Sequence, residues 1–582
     1  MLRTLSAIIL LPALGLLGWL ALQETTPRAD FVVASDELRF LDPARVSHQH
    51  EIQVARALFE GLTRLNDETL IPEPGLAERW EVDASQTHYT FHLRDGIRWS
   101  NGEPITAEHF RWSWLRAMLP STRSQYITFL YVIDGAEAYS KSRRDNDSAD
   151  DLPESSVGIE APDDRTLRVR LAQPCSYFLD LAAFPTLCPV YPLSLAGDAD
   201  GKWNDPAWVV CSGAFTLERW DFKRRLLLRK NPQYWDAASI GVDSIEMLIA
   251  IDPSTILLAY ETGRIDLYRG LEPEMARAVL QQQREGKRHD FAQGDRFATF
   301  FFRVNCTREP FKNNAKLRAA LSLAIDKRAI CDTVLGLSES PADTFLPPGA
   351  IPLMPRSGPG GETILYEPPA GLGHDLDWDA RLELARTLLD ESAFGAIAAT
   401  RPIEIMYAPD PRQQRRVCEA VQAMWERNLG IRVELRLQER KVLSQRVRAL
   451  DYDLATSDWY GDYMDPSTFL DIFTSDSGNN RTGWSNARYD QLIRAAAIEP
   501  GNARRLAMFT QAESILCRDE LPIVPIYFKR GNFLMNPKFV GVRDNVLDSA
   551  LIHRARRGAE GTRGRGAEGR SEDKLSSGHG LN

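Results

Sequence analysis

An α/β protein divided into two or three lobes is what this sequence predicts, and three observations carry that expectation. The chain has 582 residues, whereas a single hydrophobic core stops growing at roughly 250–300 residues. Residues 401–437 alternate as strand, helix and strand, the unit from which α/β sheets are built. The block after Leu62 has another character, with short alternating strands broken by turn signals at Asp95-Gly96 and Asn101-Gly102.

Taken in chain order, the first element is an uncharged apolar run from Leu5 to Leu22, about 18 residues long and preceded by Arg3. It ends in Leu20, Ala21, Leu22, Gln23 and Glu24, without the small residues of a cleavage site, and carries no cysteine for a lipid. Residues 1–29 are therefore expected to be a signal peptide or, a better match, an uncleaved membrane anchor with the body outside the cytoplasm. A strand follows at FVVAS (31–35), then a helix from about Glu51 to Leu62. YTFHL (89–93) alternates as a strand, and Thr106 caps a helix with Phe110, Trp114 and Met118 on one face. The polar tract 141–156 is expected to be a solvated loop, and TLRVRL (166–171) another strand.

In the second half, RPIEIMY (401–407) is expected to be a strand, followed by a helix from about Arg412 to Asn428 with Val417, Val421 and Met424 on one stripe. Gly430 stops that helix, and IRVELRL (431–437) alternates as the next strand, implying a parallel or mixed sheet. LPIVPIYF (521–528) is apolar but carries prolines, which suit an edge or crossing segment better than a sheet centre. From about Arg554 glycine and charge dominate, so the tail is expected to be disordered.

Composition excludes several functions. With 43% hydrophobic and 26% charged residues the chain is an ordinary globular protein. Its formal charge of −10 repels phosphate backbones, so nucleic acid is not an expected partner. Seven cysteines are scattered without a C-x-x-C pair, which argues against metal clusters and thiol redox chemistry. Cys175 and Cys188 are near enough in sequence to pair or to be two buried thiols. There is no G-x-S-x-G elbow, H-E-x-x-H helix or phosphate loop, and His48-Gln49-His50-Glu51 lacks a distant partner for a metal. No catalytic residue, metal or cofactor is expected.

Several segments together resemble the extracytoplasmic solute-binding proteins of family 5, which serve ABC importers of oligopeptides and dipeptides. LAERWEVDASQTHYTFHLRDGIRWSNGEPITAEHFRWSW (76–114) is similar to that family's signature region, and SGAFTLERWDFKRRLLLRKNPQYWD (212–236) to its strand pair ending in N-P-x-Y-W. LRAALSLAIDKRAI (317–330), WYGDYMDPSTFLDIFTSDSGNN (459–480) and LPIVPIYF extend the likeness over about residues 31–550. The resemblance implies a periplasmic-binding-protein-like fold of two hinged α/β lobes with an additional lobe near the N-terminus. Lobe I would take residues 30–59, 184–297 and 523–552, the extra lobe II 60–183, and lobe III 298–522. Residues 553–582 would be tail.

The same resemblance implies an oligopeptide ligand, laid extended between the lobes and pairing its main chain with them. By position, Ser47, His48 and Gln49 would meet it from one lobe and Asp458, Trp459 and Tyr460 from the other, with Tyr126 near the ligand start. Asp462, after Gly461, is the aspartate expected to bind the α-ammonium, a charge-assisted contact of about 1.5–3 kcal/mol. In the same stretch, Asp465 before Pro466 is expected to be a helix N-cap with proline at the first helical position. Two departures stand out: a disulfide of some members falls on Ala298 and Tyr460, and an arginine that meets the ligand carboxylate falls on Thr456. Implied partners are an ABC permease with its ATPase, and the membrane through the N-terminal segment. A nickel chelate, a haem or an oligosaccharide is an alternative solute for this fold, and a surface hydrolase an alternative of another class.

Overall fold

The computed structural model describes residues 28–143, 150–195, 203, 205–249, 252–348, 352–353, 364–392, 394, 401–409, 412–499, 501–548 and 551–558. The N-terminal apolar run, the middle of the polar tract (144–149) and the tail beyond 558 lie outside the described residues.

The framework is one long mixed sheet. From one edge its strands run Val433–Leu437, Ile403–Tyr407, Leu454–Tyr460, Phe291–Val304, Ile523–Met535, Leu267–Arg269, Phe31–Ser35, Ser244–Ile249, Arg225–Lys230 and Phe215–Asp221. The strand-helix-strand unit forms as expected: Ile403–Tyr407 and Val433–Leu437 are parallel, joined by the helix Arg412–Leu429, and Gly430 ends that helix at φ +67°. Val417 and Val421 are fully buried beneath it.

Two strands of 14 and 13 residues, Phe291–Val304 and Ile523–Met535, hold the sheet together as an antiparallel ribbon. One half-sheet joins the ribbon through Leu454–Tyr460, which pairs with Ala298–Val304. The other joins at the opposite end, where Leu267–Arg269 pairs with Phe533–Met535. Between them the register shifts from Asp295 opposite Arg530 to Thr299 opposite Phe528. Residues 523–528 begin a strand near the middle of the strand order, yet on the flank away from Phe291–Val304 the only described strand they meet is Ser340–Pro341, at Phe528 and Tyr527, so Pro525 has a largely free flank, in keeping with the edge-like expectation.

A separate four-stranded antiparallel sheet, Ala77–Val82, His88–Leu93, Thr166–Arg170 and Ile159–Asp163, carries the helix Ala107–Met118. Thr106 precedes this helix in extended conformation, and Phe110, Trp114 and Met118 are buried in a core shared with Phe91 and Trp99. Other cores lie under each half of the long sheet, one around Phe31, Phe59 and Met247, another around Phe300, Trp425 and Ile405. A further core of Phe297, Phe345, Phe469 and Phe473 backs the strand Leu454–Tyr460.

Three expectations shift. The first helix spans Gln49–Leu58, starting earlier than Glu51, because Glu51 itself closes the N-terminus: its buried carboxylate accepts from the backbone N–H of Ser47 (3.0 Å), His48 (3.3 Å) and Arg39 (3.1 Å). Cys175 and Cys188 are both free and buried, as are most of the cysteines. Residues 553–558 are ordered: a short turn Ile552–Arg554 leads into Arg556–Arg557, which pairs with Phe539–Val540.

Candidate functional site

The strand Leu454–Tyr460 is only partly paired along one of its edges. On one side it pairs along its length with Phe291–Val304, but on the other Ile403–Tyr407 meets it only at Leu454 and Ala455. Among the described strands none pairs with Thr456–Tyr460 on that side, so the amides there are open to an extended ligand. Side chains alternate along it. Asp458 and Tyr460 share one face, where the Lys529 ammonium sits 3.3 Å from Asp458 Oδ1 and 4.9 Å from the Tyr460 ring centroid. Burial pulls the Lys529 ammonium down, but Asp458 and the Tyr460 and Tyr527 hydroxyls outweigh it and hold the group above its ordinary range. The ion pair leaves Oδ1 of Asp458 without a hydrogen bond. Trp459 faces the other way, its indole N–H donating to the Thr468 carbonyl at 2.7 Å, which leaves only its main chain on the open edge.

After the strand the chain turns at Gly461, whose N–H donates to the Phe297 carbonyl at 2.8 Å. A Cβ there would meet the Phe297 ring at 2.2 Å. This close approach delivers Asp462, whose N–H donates to Thr468 Oγ1 (3.1 Å) and whose carboxylate accepts from the Tyr126 hydroxyl at 3.4 Å. Burial, eased only by the Tyr126 hydrogen bond, pushes Asp462 up to about 6. No cation pairs with it among the described residues. A carboxylate held this way is the complement of an ammonium that arrives with a ligand.

Tyr126 links this acid to the first helix. Its ring packs 4.7 Å from Phe184 and 4.9 Å from Phe129, and Phe184 shares a cluster with Val46, Ile52 and Ala55. Ser47 and His48, at the start of that helix, hydrogen-bond to each other at 3.2 Å, and Gln49 donates to the Leu547 carbonyl at 3.3 Å with its own Oε1 buried and unpaired. The structure thus joins Asp462 to Tyr126 directly and Asp458 to Tyr460 through Lys529, while Ser47, His48 and Gln49 form no hydrogen bond or ion pair with either group and are linked to Tyr126 only through their chain neighbours Val46 and Ile52. Sequence reasoning missed Lys529 and Glu51. The second had a signal, an acid at the third helical position behind a cap; the first had none, because only the register of Ile523–Met535 brings it to Asp458.

The two departures are visible here. Ala298 lies directly opposite Tyr460 in the ladder, the cross-strand position a disulfide would need. Thr456 is buried and donates to Gln414 Oε1 at 3.1 Å. Among the described residues no three His, Cys, Asp or Glu side chains converge to hold a metal.

The family model described as bacterial extracellular solute-binding proteins, family 5 middle, matches residues 72–481. The chain belongs to that family. It is 31% identical over 495 residues to the oligopeptide-binding protein OppA of Bacillus subtilis, covering 84% of this chain and 85% of the relative. Identity is also 31% over 509 residues to the periplasmic oligopeptide-binding protein of Salmonella typhimurium, covering 86% and 87%. Among solved structures, the murein tripeptide binding protein MppA of Escherichia coli superposes with a TM-score of 0.73 at 28% identity, over 91% of this chain and 99% of that one. The Haemophilus influenzae OppA complex with the peptide RPPGFSPFR gives 0.71 at 27% identity, over 91% and 99%. The fold is that of the peptide-binding class of these proteins, and both architectural expectations, a mixed α/β body and a second smaller sheet, agree with it.

Proposed function

We propose that this chain is an extracytoplasmic receptor that captures oligopeptides in a cleft between hinged lobes and delivers them to an ABC-type importer. The observation that carries the reading is Asp462, a half-buried carboxylate with no cation paired to it among the described residues, placed just beyond a strand edge open at Thr456–Tyr460. A peptide supplies both complements, main-chain amides for the edge and an α-ammonium for the acid. Each main-chain bond contributes about 0.5–1.5 kcal/mol whatever the side chain, which suits broad specificity. Relatives named for oligopeptide binding support the ligand class.

The proposed lobes are 30–59, 184–297 and 523–552 as the first, 60–183 as the extra lobe and 298–522 as the third, and the register shift at Asp295/Thr299 supports a hinge between the first and the third. Tethering through the Leu5–Leu22 run, hand-over to a permease with its ATPase and the absence of enzymatic turnover belong to the same proposal. An Escherichia coli relative at 32% identity is named a probable deoxycholate-binding protein; an anionic steroid would bring no ammonium to Asp462, which favours peptide here.

Calorimetric titration with peptides of differing length, free and N-acetylated, tests the reading. Blocking the amine is expected to weaken binding at least about tenfold, ~1.4 kcal/mol. Equal affinity for the two forms would remove Asp462 from the ligand site, and hydrolysis of the peptide would replace the receptor by an enzyme.

A further inference from the structure

One face of the open strand holds a buried cation without a counter-ion. Arg303 lies in Phe291–Val304 opposite Ala455 and is only 5% exposed. Its Nε donates to Ser457 Oγ at 3.2 Å and its Nη1 to the Asn479 carbonyl at 3.1 Å, while the guanidinium lies 5.3 Å from the Phe301 ring and 5.6 Å from that of Phe473. Its Nη2 has no partner among the described residues. Arg481, half-buried, makes no side-chain hydrogen bond or ion pair among the described residues, and its Nε is closed off from solvent.

The acids in this neighbourhood are engaged elsewhere. Asp453 is held by both guanidinium nitrogens of Arg401 and accepts from the Glu404 N–H at 3.1 Å. Asp451 accepts from Arg446 at 2.9 Å and lies 3.7 Å from Arg308. On the loop after Phe473, Asp490 accepts from the Ser475 N–H at 3.0 Å and lies 3.9 Å from Arg494, and Asp476 is exposed and forms no ion pair among the described residues. Against these four acids stand six arginines, the four named as their partners together with Arg303 and Arg481, so the patch keeps an excess of positive charge. Burial brings Arg303 down to about 10, with the Tyr452 hydroxyl opposing the fall and Arg481 adding to it, which leaves the group charged at neutral pH. A charge held out of water without an opposite charge is destabilising, and a ligand that supplies one removes that cost.

Alternation along the strand decides what can reach this charge. Ser457 and Trp459 point to one face, and Arg303 reaches the same face. Ser457 is half-buried, within the stretch Thr456–Tyr460 whose far edge is unpaired. Its Oγ accepts from Arg303, so its own proton is left to donate outward. An extended ligand on that edge turns every second side chain onto this face, whereas its terminal carboxylate stays in the plane of the sheet. We propose that Arg303 and Ser457, with Arg481 adding its charge, form a subsite for an acidic side chain, aspartate or glutamate, of the bound peptide. The subsite rests on the peptide-receptor reading above and narrows it to peptides that carry an acid a few residues beyond the α-ammonium. Ser457 precedes Asp462 by five residues, at most about 16 Å of extended chain.

Calorimetry with alanine-based hexapeptides, free at the N-terminus and amidated at the C-terminus, tests the subsite when glutamate or glutamine is scanned through positions two to six. At one or two positions the glutamate peptide is expected to bind about tenfold more tightly than its glutamine twin at neutral pH. In Arg303→Gln that preference should vanish while the glutamine peptide still binds. Equal affinity of the twins at every position overturns the subsite and leaves the receptor standing, whereas failure of every peptide to bind removes both. A gain on replacing the terminal amide by the free acid, without any glutamate effect, gives the arginine to the ligand's C-terminus and also overturns the subsite. If Arg303→Gln does not fold, Arg481→Gln decides: the preference should shrink at least about threefold, and an unchanged preference overturns the assignment.

Discussion

At the residue scale, the proposed ligand role of Asp462 makes its protonation the link between solution conditions and binding. Its carboxyl sits at about 6 in the unliganded protein. An incoming ammonium favours the ionised form, so the complex holds fewer protons than the free receptor. Affinity for a free peptide is therefore expected to rise with pH up to about 6 and then level off, with a limiting loss of tenfold per unit below that value. Asp462→Asn should lower affinity about tenfold above pH 7 and flatten the profile, and it should bind free and N-acetylated peptides alike. Titrations at pH 5 and pH 8 with both peptide forms check this; a variant that keeps the acid limb places the titrating group elsewhere. The sequence made Asp462 visible only through the family resemblance. As an isolated aspartate it was indistinguishable from a solvated loop acid, because its hydrogen-bond partner Tyr126 is 336 residues away.

At the scale of the element, the stretch 458–470 passes from strand to turn to helix, and its third acid is more than a cap. Asp465 does accept from the Ser467 N–H at 3.0 Å, in the manner of a capping residue, and the helix begins at Ser467, one residue later than expected. Its main partner is Arg505, which forms a bidentate pair at 2.7 and 2.7 Å with both groups almost fully buried. Burial pushes Asp465 up, but Arg505 outweighs it and holds the carboxyl below its usual range. The Ser176 hydroxyl adds a 3.1 Å bond and Tyr177 stacks 4.2 Å from Tyr463, so the four-stranded-sheet lobe is fastened to the same turn. Asp180 and Asp471, each raised to about 7 chiefly by burial and then by Asp465, lie around the pair. Arg505→Gln strands Asp465 among these acids and is expected to cost about 3–5 kcal/mol in denaturant unfolding. Adding Asp465→Asn should recover part of that loss, since no uncompensated charge then remains. Strictly additive losses would mean that the pair does not act as a unit. The local pattern Asp-Pro-Ser-Thr announced the cap; the arginine 40 positions on could be paired only by the fold.

At the scale of the whole molecule, the strands and helices with a clear period were legible because their pattern is set by short-range burial. The order of the sheet was not, since strands as distant in the chain as 31–35, 267–269, 291–304 and 523–535 come side by side only through long-range pairing. That pairing also contains the register shift at which we propose the hinge. At the register shift Arg296 lies against Gly531, where a Cβ would come 1.6 Å from Nη2, and its guanidinium pairs with Asp544 (2.6 Å) and Asp548 (3.0 Å). Arg269 meets the same two acids at 3.0 and 2.6 Å. If the ribbon bends here as proposed, the Arg296 guanidinium must move across the bare backbone of Gly531. Gly531→Ala is thus expected to expel Arg296 from this network, to cost about 1–3 kcal/mol by overpacking, and to restrict closure. Small-angle scattering distinguishes this from a weakened contact. Saturating peptide should shrink the wild type and also Asp462→Asn, which lacks one ligand contact but keeps the hinge. Gly531→Ala should shrink less at the same occupancy, and full contraction of that variant would move the hinge away from the Asp295/Thr299 shift.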